Sequence, residues 1–155
     1  MVANRIMDLA TGIGFDHVHE NLLPYFCCFL KDIESEVRNA ALCNLADFCR
    51  ILDKQDILQK IIPEIAALST DTFVYVRCAL AENLLTICPI IGQKDSNELI
   101  VPIFIKQLRD DSCEVRLKLF KRLDDLNSVI PVSQFEGELI DSLTNYKIIN
   151  NWRLK

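Results

Sequence analysis

Residues 22–41 read LLPYFCCFLKDIESEVRNAA, and three landmarks in this stretch recur along the chain. They are a proline, an aspartate eight residues later, and a valine–arginine pair that completes the pattern six residues after the aspartate. Each landmark returns twice at intervals of 39 residues, without an insertion. The recurring positions are Pro24, Pro63 and Pro102; Asp32, Asp71 and Asp110; Val37, Val76 and Val115; and Arg38, Arg77 and Arg116. This register predicts a repeat protein with structurally equivalent units.

The apolar residues predict two helices in each repeat. A second helix follows each valine, because apolar residues recur there at steps of three and four and so share one helical face. These residues are Ala41, Leu45, Phe48 and Leu52; Leu80, Leu84, Ile87 and Ile91; and Leu119, Leu123, Leu126 and Ile130. A first helix carries Leu22, Leu23 and Phe26; Ile61, Ile62 and Ile65; and Ile100, Val101 and Phe104. A lone helix hairpin cannot bury both faces, so we predict an all-α, right-handed solenoid of stacked antiparallel hairpins.

The register divides the chain into one solenoid segment over residues 1–155. We expect complete repeats at 15–53, 54–92 and 93–131, a second helix of a truncated repeat at 1–14, and a truncated repeat at 132–155. Such ends suggest a segment of a longer protein or a shortened gene model; alternatively, Met1 is native and its helix is the cap. Apolar ends at Ile6, Leu9, Leu139 and Leu143 would favour weak end-to-end self-association.

Local signals predict where helices start, stop and bend. Asp56 with Gln59 and Asp95 with Glu98 have the spacing of N-terminal capping boxes. Gly92 is expected to end a second helix. The recurring prolines fall inside the first helices and predict a kink in each, because proline removes a hydrogen bond and clashes with the preceding turn.

The composition excludes several classes of protein. Half of the 155 residues are hydrophobic, 25% are charged and only four are glycine, which argues against a disordered chain. The net charge of −5 argues against nucleic acid as a partner. We expect no membrane partner, since no uninterrupted apolar run approaches the about 18 residues of a span.

The cysteines and the missing motifs predict a protein without catalysis. Seven cysteines, an odd number without CxxC spacing, predict neither a disulfide scaffold nor a zinc site but small buried hydrophobes in a reducing compartment. We therefore expect a cytoplasmic location, with the nucleus as a further one. No nucleophile motif or phosphate loop is present, and we predict no cofactor, no metal and no enzyme activity.

The recurring Pro, Asp and Val-Arg pattern resembles the HEAT repeat. The stretches LLPYFCCFLKDIESEVRNAA, DFCRILDK, CPIIGQKD, IVPIFIKQLRDDSCEVRL and NNWRLK further resemble consecutive pieces of the scaffold (A, regulatory) subunit family of type 2A protein serine/threonine phosphatases. The resemblance would place this chain in the middle to late-middle repeats of such a scaffold. It implies a non-catalytic protein that joins a phosphatase catalytic subunit to a variable regulatory (B-type) subunit.

In that family both partners contact the turns between the two helices of each repeat. Carried onto this sequence, the expected partner-binding residues are Glu34, Glu36, Phe73, Tyr75, Asp111, Glu114, Trp152 and Arg153. Trp152 and Arg153 resemble a family turn that contacts the catalytic subunit, although a tryptophan there would also fit as a staple of its own hairpin. Phe73 and Tyr75 would serve either as partner contacts or as a lid on the adjacent groove.

The Asp and Arg columns are expected to be structural. Asp32, Asp71 and Asp110 would accept backbone N–H groups at the start of each second helix, and Arg38, Arg77 and Arg116 would bridge to a neighbouring repeat's aspartate. The fourth repeat has Ile149 in the aspartate column, so the ladder is in doubt there. Other functions stay open: a transport receptor or other HEAT-type adaptor, a helical-repeat RNA-binding protein, or a cysteine-dependent enzyme.

Overall fold

The computed structural model describes residues 18–122, Gly137 and Ile140. Residues 18–122 form six helical rods, α1 to α6, and contain no strand. Their segments are α1 (Val18–Asn21 and Leu23–Leu30), α2 (Ser35–Cys43 and Leu45–Cys49), α3 (Lys54–Asp56, Ile57–Ile61 and Ile62–Leu68), α4 (Val74–Asn83, Leu84–Ile87 and Cys88–Ile91), α5 (Gln93–Asp95, Ser96–Ile100 and Val101–Leu108) and α6 (Cys113–Phe120). The rods pair as α1–α2, α3–α4 and α5–α6, which confirms the all-α solenoid of helix hairpins.

The hairpins stack in two layers because each apolar face needs a neighbour. Among the second helices α4 packs between α2 and α6, and among the first helices α1 packs against α3. The predicted second-helix residues in α2 and α4 are buried, as is Leu119 in α6. Phe26 of α1 stacks on Phe48 of α2 with ring centroids 4.1 Å apart, so the core is continuous from one layer to the other.

An irregular turn precedes each recurring proline, where the sequence predicted a kink. In α3 and α5 the turns Ile57–Ile61 and Ser96–Ile100 are π-helical and lead into α-helices that begin just before Pro63 and Pro102. In α1 the helix is interrupted at Leu22, immediately before the segment with Pro24. A wider turn is accommodated before a proline because proline has no N–H to donate in the regular α-helical hydrogen bond, and because its ring would clash with the carbonyl group four residues earlier.

The predicted capping boxes are wrong. Helix α3 begins at Lys54 and α5 at Gln93, so Asp56 and Asp95 lie inside the first turn, and neither makes a side-chain cap bond. Gly92 does end α4, with a φ of +88° that a glycine adopts without strain. The chain therefore passes from the end of α4 through Gly92 directly into α5. This is why α5 starts earlier than the spacing of Asp95 and Glu98 indicated.

The segment Val74–Ile91 is long and apolar enough to cross a membrane, with a mean hydropathy of 1.5, although the sequence led us to expect no such run. It is α4, the central second helix, and 56% of it is buried inside the fold. It also carries Arg77 and Glu82, which form ion pairs with Asp110 and Lys118 of the following repeat. These features are those of a core helix that is packed between neighbouring helices of the fold.

Candidate functional site

The turns that join the two helices of each repeat share one hydrogen-bond pattern. In each, the aspartate accepts a hydrogen bond from the backbone N–H two residues on, which fixes the start of the second helix. The bonds are from Glu34 N to Asp32 Oδ1 (2.9 Å), from Phe73 N to Asp71 Oδ1 (2.9 Å) and from Ser112 N to Asp110 Oδ1 (2.8 Å). We call the row of turns at 31–36, 69–75 and 109–114 the turn ridge.

Arginines join these turns from one repeat to the next. Arg38 donates from Nε and Nη2 to the two carboxylate oxygens of Asp71, at 2.6 and 3.0 Å, and Arg77 binds Asp110 at the same two distances. We call each such Arg–Asp pair a rung. The remaining Nη1 groups turn back to their own repeats, from Arg38 to the Asp32 carbonyl (2.7 Å) and from Arg77 to the Asp71 carbonyl (2.6 Å). Each arginine therefore holds two turns in fixed register.

The rungs are nearly enclosed and electrically neutral. The arginine side chains are 11% and 14% exposed, and the aspartates 6%. The hydrogen bonds that Arg38 donates to Asp71 and Arg77 donates to Asp110 raise the pKa of both arginines, against the opposing effect of burial. Because each of these arginines is paired with one aspartate, the rungs add no net charge to the ridge. Their role is to fix the positions of neighbouring turns relative to each other.

The third arginine, Arg116, has no such carboxylate partner among the residues that the structure describes. Arg116 is 6% exposed and donates from Nη1 to the backbone carbonyls of Asp110 and Asp111. Its Nε and Nη2 atoms are buried and, in the described part of the chain, have no hydrogen-bond partner. The position one period after Asp110 is Ile149, which lies outside the described residues.

Apolar side chains are exposed on the ridge. Ile33 is 90% exposed, Phe73 46% and Tyr75 42%. The two aromatic rings lie 5.7 Å apart, and the Arg38 guanidinium lies over the Phe73 ring at 5.9 Å. The Tyr75 hydroxyl donates to Oγ of Ser35 in the preceding repeat. Phe73 and Tyr75 thus contact Arg38 and Ser35 of the preceding repeat, and each also exposes part of its ring to solvent.

The other predicted contact residues are placed as follows. Glu34, Glu36, Asp111 and Glu114 are exposed on the turn ridge, and the first two are on the same turn as Ile33. They give the ridge exposed carboxylates beside its apolar residues. Trp152 and Arg153 lie outside the described residues, and their role stays a prediction.

Two features of the ridge escaped the sequence reasoning. Ile33 stood inside a predicted turn but was not singled out, although Thr72 and Asp111 at the equivalent positions are polar. A groove of about 850 Å³ also lies between turn 69–72 and helix α5. Lys106 and Arg109 line this groove. Comparison of the repeats could have indicated these two cations, because the equivalent positions of the preceding repeat hold Ala67 and Thr70.

The cysteines differ in their environments. Cys49, Cys78 and Cys88 are buried as expected, whereas Cys28 and Cys43 are exposed, so the prediction of buried thiols is wrong for those two. Burial raises the pKa of Cys49 to about 12 and also raises the pKa of Cys78 and Cys88. A raised pKa keeps a thiol protonated, which is the reverse of what an activated nucleophile needs.

An all-helical stack of hairpins whose turns are joined by Arg–Asp rungs defines the chain as an α-solenoid of the HEAT-repeat class. A family model described as PPP2R1A-like HEAT repeat matches residues 16–92, about half of the chain. Over 129 residues the chain is 32% identical to the 65 kDa regulatory subunit (A, beta isoform) of serine/threonine-protein phosphatase 2A from Homo sapiens, a match that covers 81% of this chain. The chain spans 22% of that relative's length. It belongs to the PPP2R1A-like HEAT-repeat family.

Proposed function

We propose that this chain is a non-catalytic scaffold that assembles a protein serine/threonine phosphatase catalytic subunit with a B-type regulatory subunit through its turn ridge. The family and the name of the human relative, a regulatory subunit of phosphatase 2A, support the class of partner. A scaffold of this kind acts by raising the effective concentration of two bound proteins for each other. Assembly of this kind fits the cytoplasm, with the nucleus as a second location.

The observation that carries the proposal is the exposed apolar group on a rigid ridge. Ile33 is 90% exposed on a turn whose backbone is held by Asp32 and Arg38. Large apolar and aromatic side chains on a preorganised backbone bind partners with little loss of conformational entropy. The exposed carboxylates of Glu34 and Glu36 beside them supply a polar rim.

The experiment measures binding of the immobilised chain to two purified proteins in separate runs, a phosphatase catalytic subunit in one and a B-type subunit in the other. Ile33→Glu should weaken binding of at least one of them about tenfold, since it places a charge in the contact. Tyr25→Glu is the matched control, because Tyr25 is 63% exposed on α1, outside the ridge, and should leave binding unchanged. Trp152→Ala and Arg153→Ala should weaken binding of the catalytic subunit only.

Equal binding by the Ile33→Glu and Tyr25→Glu variants would contradict the placement of the contact on the turn ridge. Failure of the wild-type chain to bind either partner would contradict the phosphatase scaffold itself. Binding to a transport cargo in place of phosphatase subunits would instead support the alternative of another HEAT-type adaptor. The raised pKa of the buried thiols favours the scaffold over a cysteine-dependent enzyme.

A further inference from the structure

The groove between turn 69–72 and helix α5 combines an apolar surface with cationic side chains. Pro102, Ile105 and Lys106 of α5 and Arg109 just after it share one face, because Ile105 and Lys106 each lie three or four residues from both Pro102 and Arg109. The turn residues Ser69, Thr70 and Thr72 line the opposite side. The volume of about 850 Å³ is within the range of pockets that enclose a small ligand or a few residues of a peptide.

The charges that line this groove are not equally available. The carboxylates of Asp71 and Asp110 are bound by Arg38 and Arg77 in the two rungs. The guanidinium of Arg77 in turn donates two hydrogen bonds to the Asp110 carboxylate and one to the Asp71 carbonyl, so its charge is paired. The rungs therefore contribute almost no free charge to the groove, and its potential depends on the remaining side chains.

Those side chains leave an excess of positive charge. Lys106 and Arg109 are exposed and have no ion-pair partner within residues 18–122. Against them stands the exposed carboxylate of Asp111. On a chain with a net charge of −5, this groove is a local cationic site that would attract a negatively charged group.

The cations are particular to this interface. At the interface one repeat earlier, the positions of Lys106 and Arg109 are held by Ala67 and Thr70. The one lysine at the neighbouring turn there, Lys31, is bound to Glu64 at 2.6 Å. Charge of this kind is therefore not needed to stack two repeats of this chain, which favours a role in binding.

We propose that this groove binds a short acidic segment of a partner protein, with carboxylates on Lys106 and Arg109 and an apolar side chain on Pro102 and Ile105. The proposal rests on the scaffold function, for which it names a class of partner segment. An extended peptide fits the elongated face of α5, and its acidic residues would replace the carboxylates that the two cations lack. Exposed pairs of this kind are sensitive to salt.

The test measures fluorescence anisotropy of a fluorescein-labelled peptide of about eight residues, with glutamates around a central leucine, against the full chain. Lys106→Glu with Arg109→Glu should weaken binding about tenfold or more, and raising the salt from about 0.05 M to about 0.5 M should weaken the wild type similarly. The control is Lys94→Glu with Lys121→Glu, which makes the same change in net charge at two exposed lysines outside the groove. A peptide with lysine in place of glutamate should not bind.

Equal loss in the groove and control variants would show that only overall charge matters and would overturn the proposal, as would no binding to the wild type. Tighter binding of labelled oligouridylate than of the peptide would assign the groove to nucleic acid instead. The same preparations are assayed for the phosphatase subunits. If those bind while the acidic peptide does not, the groove proposal fails and the scaffold function stands.

Discussion

The two complete rungs and the end of the third repeat show how the same arginine behaves with and without its aspartate. Arg38 and Arg77 each place two donors on a carboxylate of the next repeat, whereas the corresponding two donors of Arg116 are buried without a partner in the described residues. All three make the backbone bond to their own turn. The arginine thus fixes its own turn unaided, and the aspartate adds the connection between repeats.

This difference separates two roles of the aspartate. Asp71 and Asp110 cap a turn and also complete a rung, but Asp32 in the described structure accepts only the Glu34 N–H through its carboxylate. The chain therefore contains its own control for the cost of breaking a rung. Asp32 and Arg116 are the positions at which the two roles can be measured apart.

The largest effect is expected from Asp71→Ala. It removes the turn bond and leaves the guanidinium of Arg38 nearly buried without its carboxylate, which should lower the free energy of unfolding by about 3 kcal/mol. Asp32→Ala removes only the turn bond and should cost about 1 kcal/mol. Urea denaturation measures both. Equal losses in the two variants would mean that the rung contributes nothing to stability.

A gain is expected where the ladder lacks its aspartate. Ile149→Asp places a carboxylate in the register position that would serve Arg116, and it should raise the free energy of unfolding by about 1 kcal/mol. Ile148→Asp, which shifts the same charge by one residue, should give no gain. Thermal unfolding compares the two, and a gain from both or from neither would show that register does not govern this step.

The smallest effect is expected from Tyr75→Phe. The change removes the hydroxyl that donates to Ser35 but keeps the ring beside Phe73, so stability should fall by about 1 kcal/mol or less. Partner binding should persist, because the exposed part of the ring is retained. A loss of binding with unchanged stability would instead show that the Tyr75 hydroxyl, and not only its ring, contacts the partner.

Much of the fold could be predicted because its signals are local. Apolar spacing along the chain identified α1 to α6 and their buried faces, such as Phe26 and Phe48, which do stack. The capping boxes failed because Asp56 and Asp95 have the right spacing, yet the chain already turns into helix at Lys54 and Gln93. On the ridge, Phe73 and Tyr75 were found as aromatics in a turn, but Ile33 was not singled out.

The sequence by itself determined the 39-residue period, the two helices of each repeat and the columns of Asp and Arg, because these depend on spacing within about one helical turn or on exact recurrence. The sequence also predicted that each arginine bridges to the aspartate of a neighbouring repeat, but only the tertiary structure decided that this is the following repeat, so that Arg38 meets Asp71 and Arg77 meets Asp110. The tertiary structure also decided which turn residues face solvent and left Lys106 and Arg109 along an open groove. The physical reason is that these features depend on the offset with which one hairpin stacks on the next.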